Sequence, residues 1–164
     1  ATYEKKITKF SLELLTPIMR TGMCLLGIDY GEKNIGLAIS DTRKIISSSL
    51  KTIQKTKAAI YINELKAICL ERNVGGIVIG LPLNMNGTEG PRCQATRSFA
   101  NKLTHAKLPV NAFWDERLST AAAENILLEA NTSRKRRKEV IDQVAANLIL
   151  QTALDRLQTF MYQE

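Results

Sequence analysis

The sequence predicts an α/β domain built on a central mixed five-stranded sheet flanked by helices. Three short apolar runs follow one another after residue 22, and later apolar runs alternate with segments of helical periodicity. Successive runs joined by tight turns indicate antiparallel strands, whereas strands that alternate with helices indicate parallel ones. A chain of 164 residues fits one such domain and can bury a sufficient core without disulfides.

The first three predicted strands are short apolar runs that end at turn residues, and they lie at Cys24–Asp29, Ile35–Ser40 and Ile45–Leu50. Ahead of them, residues 1–21 have enough apolar side chains for one or two amphipathic turns. We therefore divide the chain into an N-terminal extension over 1–21 and one domain over 22–164.

Helical and strand patterns alternate in the rest of the chain. The predicted helices are 57–72, 89–104, 120–130 and 139–160, and the predicted strands are Ile77–Ile79 and Val110–Trp114. These two strands complete the five-stranded sheet.

The chain is basic, and part of its charge lies in one run. Twenty-three Lys and Arg residues against sixteen Asp and Glu give a net charge of +7. Five consecutive cations stand just ahead of the last predicted helix: Arg134, Lys135, Arg136, Arg137 and Lys138. Such an excess favours nucleic acid as a partner. We interpret the run as a nucleic-acid contact in a loop, with a merely solvated charge run as the alternative.

Cysteine usage and hydropathy indicate the compartment. The three cysteines are an odd number and far apart, so neither a disulfide framework nor a zinc site is expected. No run reaches the roughly 20 apolar residues of a membrane span, and the N-terminal segment has no small-residue cleavage site of a signal peptide. We expect a cytoplasmic protein with no membrane contact.

Asp29 ends the first predicted strand, and Gly31 follows shortly after it. The carboxyl ends of strands are where α/β sheets usually bind ligands. A glycine there would let a phosphate or a metal ion approach the backbone. The alternative is an aspartate that only terminates the strand in a turn.

Asp115 and Glu116 end the last predicted strand in the same way. Because successive side chains of a strand point to opposite faces, only one of these two can join Asp29. An ion pair with Arg117 is the alternative use of a carboxylate here.

Asp142 lies at the border of the apolar face of the last predicted helix. The residues three, four, seven and eleven positions later are Ala145, Ala146, Ile149 and Ala153. Small residues would let the helix approach the sheet and bring the carboxylate over the strand ends. The alternative is a first-turn acid that complements the helix dipole, worth about 0.3 to 1 kcal/mol.

The loop predicted from Gly80 to Gly87 follows a buried strand and precedes a helix, so its amides and the side chains of Asn84 and Asn86 could reach a substrate. Plain turn chemistry is the alternative. It contains no Walker signature. His105 is the only histidine, and we expect it at the surface rather than in a metal site.

Five segments carry a resemblance, in chain order Gly27–Ala38, Gly80–Gly87, Phe99–Leu103, Asp115–Thr120 and Asp142–Ala146. Together they resemble the YqgF family, the RuvC-like Holliday junction resolvases also described as pre-16S rRNA nucleases. The resemblance implies an RNase H-like fold, a bacterial cytoplasmic protein, and hydrolysis of branched DNA or precursor 16S ribosomal RNA with Mg²⁺ or Mn²⁺ as cofactor.

Carried over by position, the resemblance assigns the catalytic, metal-binding carboxylates to Asp29, Glu116 and Asp142, with Asp115 as a rival for the second place. It implies phosphodiester hydrolysis assisted by two divalent ions, which prefer oxygen ligands. Phosphate charge would be neutralised or contacted by Lys33, Asn84, Arg117 and the run Arg134–Lys138.

Two other functions stay open. RuvC-type resolvases carry a further acid on the final helix, where this chain has Ala145. A non-catalytic RNA-binding or ribosome-assembly factor on the same fold is therefore the second hypothesis. A sugar-kinase-like ATPase fragment is the third, less favoured because such kinases have a second domain.

Overall fold

A computed structural model describes the backbone of residues 11–117 and 134–162, and the side chains of these residues apart from 134–143. Its strands are β1 (Cys24–Tyr30), β2 (Asn34–Ser40), β3 (Ser47–Gln54), β4 (Val74–Leu81) and β5 (Val110–Asp115). They form one sheet in the order β3-β2-β1-β4-β5. The β1–β2 and β2–β3 pairings are antiparallel, and the β1–β4 and β4–β5 pairings are parallel. The predicted α/β fold with a mixed five-stranded sheet is confirmed.

Helices cover both faces of the sheet. They are α1 (Thr16–Met19), which continues a 3-10 turn at Leu12–Leu15, α2 (Ala58–Glu71), α3 (Pro91–His105) and α4 (Arg134–Tyr162). α3 begins with a proline directly after Gly90, where its missing amide hydrogen breaks no helical bond. α2 ends just before Asn73, whose left-handed backbone (φ 53°) turns the chain into β4. Among the described residues, no helix combines the length and apolar character needed to cross a bilayer.

The first three strands form a meander, and β3 starts two residues later and ends four residues later than the predicted strand. Ile45 and Ile46 stay in the turn because their amides donate to Asp41 Oδ1 at 2.8 and 3.1 Å. The far end of β3 is extended because it pairs with the first residues of β2.

The sheet separates two apolar cores. On one face, Leu26 and Ile28 of β1 pack with residues of α2 and α3, among them Leu65 and Phe99. On the other face, Leu25 packs with the apolar side of α4. Because β1 is covered on both faces, nearly every one of its residues is apolar and buried.

α4 lies against the second face and runs antiparallel to β1. A Cβ atom at Gly27 would lie 2.7 Å from Leu150 Cβ and 3.1 Å from Ala146 O, so only glycine allows this approach. Near the end of the helix, Gln158 Nε2 donates to Lys44 O at 3.0 Å, beside the start of β1. The N-terminal half of α4 is therefore directed toward the C-terminal end of β1.

The basic run occupies a different element from the one predicted. Arg134–Lys138, expected in a loop, lies in the first turns of α4, which begins at Arg134 instead of residue 139. Arg and Lys are good helix formers, and no glycine or proline interrupts the run. Its side chains lie outside the described residues, as does the helix predicted over 120–130.

Part of the predicted extension packs on the sheet. Leu12 and Leu15 are buried in the same core as the apolar side of α4. Residues 1–10 lie outside the described residues.

A buried lysine lies at the end of the sheet where β1 begins. Lys44 is only 1% exposed. Its ammonium donates to the carbonyl oxygens of Thr21, Thr42 and Met23 at 2.5, 2.7 and 3.0 Å. Burial lowers the pKa of Lys44 below its ordinary value, and the three acceptors satisfy the three ammonium hydrogens. The side chain therefore links the segment before β1 to the β2–β3 turn.

Candidate active site

Asp29 stands at the C-terminal end of β1, on the face covered by α4. It follows Gly27 by two residues, and strand alternation places both on the same face. Asp29 is 8% exposed, although charged residues are rarely buried without a specific environment. The structure therefore places the first predicted acid at the expected edge of the sheet.

Glu116 is the first residue after β5, and its carboxylate lies over β4. Its Oε2 atom is 3.0 Å from the position that a Cβ atom of Gly80 would take, and Ile149 Cδ1 of α4 is 2.5 Å from that position. Gly80 follows Ile79, which pairs with Ile28 of β1. Gly80 thus lies next to Asp29, and the carboxylates of Asp29 and Glu116 occupy the same face of the sheet, with Glu116 itself 8% exposed.

Asp115 is engaged elsewhere. Its Oδ2 atom accepts from Arg117 Nη2 at 2.6 Å, and its Oδ1 atom accepts from Arg117 Nε at 3.0 Å. The hydrogen bonds that Arg117 donates to this carboxylate raise the pKa of Arg117. Strand alternation had predicted that only one acid of the pair can join Asp29, and the structure brings Glu116 to it and pairs Asp115 with Arg117.

Arg117 also holds the loop that follows β4. Its Nη1 atom donates to Met85 O at 3.0 Å. Within the loop, the Asn84 amide donates to Thr88 O at 2.9 Å, and Asn84 Nδ2 donates to Thr88 Oγ1 at 3.0 Å. Two residues predicted to contact substrate, Asn84 and Arg117, therefore fix a loop at the rim of the site.

Asp142 belongs to α4, but its side chain lies outside the described residues. Residue 142 precedes Ala146 by one helical turn, and Ala146 O packs on Gly27. Because α4 runs antiparallel to β1, that turn is directed toward Asp29. Among the described side chains, which do not include Asp142, no group of three potential metal ligands is found.

The remaining predicted residues lie at the surface. Lys33 is exposed in the turn between β1 and β2, at the same edge as Asp29. His105 is exposed at the last residue of α3, as expected. The side chains of Arg134–Lys138 are outside the described residues.

Gly80 belongs to the candidate site and lies in a different element from the one that the sequence predicts. It was assigned to a loop, whereas it lies within β4, where a side chain would collide with Ile149 and displace Glu116. A glycine inside a buried strand signals the close approach of another group, and this signal was present in the sequence.

Comparison with known proteins identifies relatives over most of the chain. A family model described as "RuvX: Holliday junction resolvase" matches residues 23–156. A protein of Ruegeria sp. (strain TM1040) named "Putative pre-16S rRNA nuclease" is 56% identical over 134 residues, which cover 81% of this chain and 85% of that protein. A Cereibacter sphaeroides protein of the same name is 56% identical over 146 residues, which cover 88% and 90%.

Solved structures with a similar chain trace include RuvC of T. thermophilus in complex with a Holliday junction substrate. That match has a TM-score of 0.47 and 15% sequence identity, and it covers 84% of this chain and 97% of that chain. The family match rests on the sequence: the model spans most of the chain, and the two relatives share more than half of the aligned residues. The chain therefore belongs to the RuvX (YqgF) family of nucleases.

Proposed function

We propose that this chain is a divalent-metal-dependent endonuclease that hydrolyses phosphodiester bonds of structured nucleic acid. One observation carries the proposal: Asp29 and Glu116 lie on one face of the sheet, on either side of Gly80, which has no side chain. Two buried acids at one site repel each other, and a divalent cation relieves that repulsion. Membership of a nuclease family supports the same chemistry.

Asp29, Glu116 and Asp142 are the proposed metal ligands. All three offer carboxylate oxygens, the ligands that Mg²⁺ and Mn²⁺ prefer. Because Gly80 has no side chain, Glu116 Oε2 can approach the sheet on the face that carries Asp29, which supports an ion site over these strand ends. The N-terminal half of α4 is directed toward the end of β1 that carries Asp29, and this direction supports Asp142 as the third ligand. Asp115 is not proposed as a ligand, because its two oxygens bind the Arg117 guanidinium.

The residues around the acids would hold the substrate. When bound, the divalent ion supplies the Lewis acidity that activates water and offsets phosphate charge. Lys33, exposed at the same edge, would contact a neighbouring phosphate, and the basic turns of α4 would contact the backbone further away. Arg117 would position the Asn84 loop, since its guanidinium is already bonded to Asp115 and Met85 O.

Precursor 16S ribosomal RNA is the substrate that we favour. The relatives that share more than half of the aligned residues carry that substrate in their names. The family description names the Holliday junction instead, so branched DNA is the comparison substrate.

A side-by-side cleavage assay tests the proposal. Purified protein is incubated with a precursor 16S rRNA fragment and with a four-way DNA junction, in Mg²⁺, in Mn²⁺ and in EDTA. We expect metal-dependent cleavage of the RNA and loss of cleavage in EDTA. RNA binding without cleavage in either metal would favour the non-catalytic assembly factor, and cleavage that persists in EDTA would contradict metal dependence.

A reducing cytoplasm is the compartment that we propose. Cys24, Cys69 and Cys93, all among the described residues, are buried and form no disulfide. Burial raises the pKa of Cys69 to about 11, so its thiol stays protonated and unreactive. Buried thiols that form no disulfide support a location where disulfides do not form.

A further inference from the structure

Lys55 is held in a fixed position near the C-terminal end of β1, on the face of the sheet opposite to the one that carries the acids. Lys55 Nζ lies 4.0 Å from the centre of the Tyr30 ring and 3.4 Å from Gly31 O. Its backbone amide donates to Lys33 O at 2.8 Å. The Tyr30 ring is itself stacked on Phe99, with ring centres 4.1 Å apart. Both the ammonium and the surface beneath it are therefore positioned before any ligand binds.

This ammonium belongs to a group of three lysines, Lys33, Lys55 and Lys57, which we call the lysine cluster. The ion pairs found among the described side chains join Lys51 to Glu64, Arg97 to Glu89 and Arg117 to Asp115, and none of them involves the cluster. Lys57 precedes α2, whose first turn contains no acidic residue. Cations that have no carboxylate partner and lie at one edge of a basic protein favour the binding of a polyanion.

The position of the cluster fits a phosphate close to the scissile one. Tyr30 directly follows Asp29, and Gly31 lies two residues beyond Asp29, about 7 Å along an extended chain. Along the axis of a duplex, each strand carries one phosphate about every 3.4 Å, so the cluster lies within a few phosphates of the scissile one. A positioned ammonium also loses little freedom when it binds a phosphate.

We propose that the lysine cluster is a phosphate-binding subsite for the substrate strand, placed on the β3 side of the acids. The strand would cross the site at Asp29 and continue over the start of β2 toward the N-terminal end of α2. This inference rests on the proposed function for the identity of its ligand, a nucleic-acid backbone. It adds a direction of binding that the acids alone do not define.

Lys55→Gln tests the subsite, with Lys51→Gln as the matched control. Lys51 lies four residues earlier in β3 and is paired with Glu64 at 2.8 Å. Binding of a fluorescein-labelled RNA hairpin with single-stranded flanks is measured in EDTA, so that no cleavage occurs, between about 50 and 200 mM salt. We expect Lys55→Gln to raise Kd about three- to tenfold at low salt and to reduce the slope of log K against log salt by about 0.7 to 0.9.

Further variants separate charge from folding. The triple variant Lys33→Gln, Lys55→Gln, Lys57→Gln should reduce the slope by about 2 to 3. Lys55→Arg keeps the cation and should restore most of the affinity. Lys51→Gln should leave Kd and slope unchanged, and thermal melting of each variant identifies any that fails to fold.

The outcomes distinguish this inference from the proposed function. Unchanged Kd and slope in Lys55→Gln, or an equal loss in Lys51→Gln, would overturn the subsite even if the wild type cleaves RNA. Tighter binding of an acidic polypeptide than of the RNA hairpin would also overturn it. A reduced slope in Lys55→Gln together with a wild type that never cleaves would support the subsite and reject the nuclease.

Discussion

The two ends of the sheet use a lysine in opposite ways. Where β1 begins, Lys44 is buried and its ammonium donates to three backbone carbonyls. Where β1 ends, Lys55 is partly exposed, lies over the Tyr30 ring, and forms no carboxylate pair among the described residues. The ammonium of Lys44 therefore stabilises the fold, whereas we propose that the charge of Lys55 binds a ligand.

The surroundings of the two lysines follow the same division. Beside Lys44, Asp41 accepts from the amides of Ile45 and Ile46, and Gln158 bonds the Lys44 carbonyl. At the far end, the absence of a side chain at Gly80 lets Glu116 and Ile149 approach the sheet closely. Buried polar groups that hydrogen-bond to one another stabilise a fold. Two acids held close together destabilise it, because they repel each other until a cation binds. Substitutions at the two ends should therefore affect different measurements.

The largest expected effect is on cleavage, at the end of the sheet that carries the acids. Asp29→Asn keeps the shape of the side chain and removes the charge that a divalent cation needs. Loss of about 4 kcal/mol of transition-state stabilisation corresponds to a rate about a thousandfold lower. Folding should be intact, and the melting temperature unchanged or slightly higher, because two buried acids no longer repel each other. Single-turnover cleavage and thermal melting give the two readouts.

The neighbouring acids provide the controls for that variant. Glu116→Gln should behave like Asp29→Asn, whereas Asp115→Asn should reduce cleavage less, since its carboxylate binds Arg117. Nucleic-acid binding in EDTA should persist in all three. A wild-type rate in Asp29→Asn would show that the site is wrongly assigned.

The next effect is on stability, at the opposite end. Lys44→Met fills a similar volume but leaves three carbonyls without their donor, and each unsatisfied buried group costs about 1 to 3 kcal/mol. Partial relaxation and the removal of a buried charge offset some of this cost, so we expect a net loss of about 2 to 4 kcal/mol in the free energy of unfolding. Urea denaturation measures it. If the variant is as stable as the wild type, Lys44 is not a structural cross-link.

A smaller change is expected in affinity when the basic turns of α4 lose their charge. Replacing Arg134, Lys135, Arg136, Arg137 and Lys138 with glutamine should weaken RNA binding about ten- to a hundredfold and flatten the salt dependence. Glutamine is a good helix former, so α4 should keep its helix content by circular dichroism. An unchanged slope would mean that these cations are only solvated.

Local patterns predicted the architecture because they depend on neighbours in the sequence. The helix predicted over 57–72 is observed at Ala58–Glu71, and the strand starting at Cys24 is observed at Cys24–Tyr30. In both cases the spacing of apolar residues reflects the faces that the element buries. The five strands were therefore identified without any knowledge of their order in the sheet.

Features that depend on tertiary contacts were not predictable in the same way. Strand alternation separated Asp115 from Glu116, but which of them faces α4 depends on how β5 packs. Burial of Lys44 depends on carbonyls more than 20 residues away in sequence. The basic run gave no apolar period, so its place in α4 was missed. The role of the Asp142 carboxylate stays a prediction.

The smallest expected effect is a pH dependence at the Lys44 end of the sheet. Desolvation of Asp41 favours its protonated form, but hydrogen bonds from the amides of Ile46 and Ile45 outweigh it and lower the pKa of this carboxyl. A carboxyl with a lower pKa in the folded state than in the unfolded chain, where it is about 3.9, stabilises the fold above that value. The contribution is lost as pH falls through the folded-state pKa.

Asp41 is largely exposed, so solvent screening keeps the effect below about 1 kcal/mol. Asp41→Asn should therefore be slightly less stable than the wild type at pH 7, and urea denaturation should show the two converging as the pH falls below about 4. A constant difference across that range would mean that the hydrogen bonds, and not the charge, account for the contribution of Asp41.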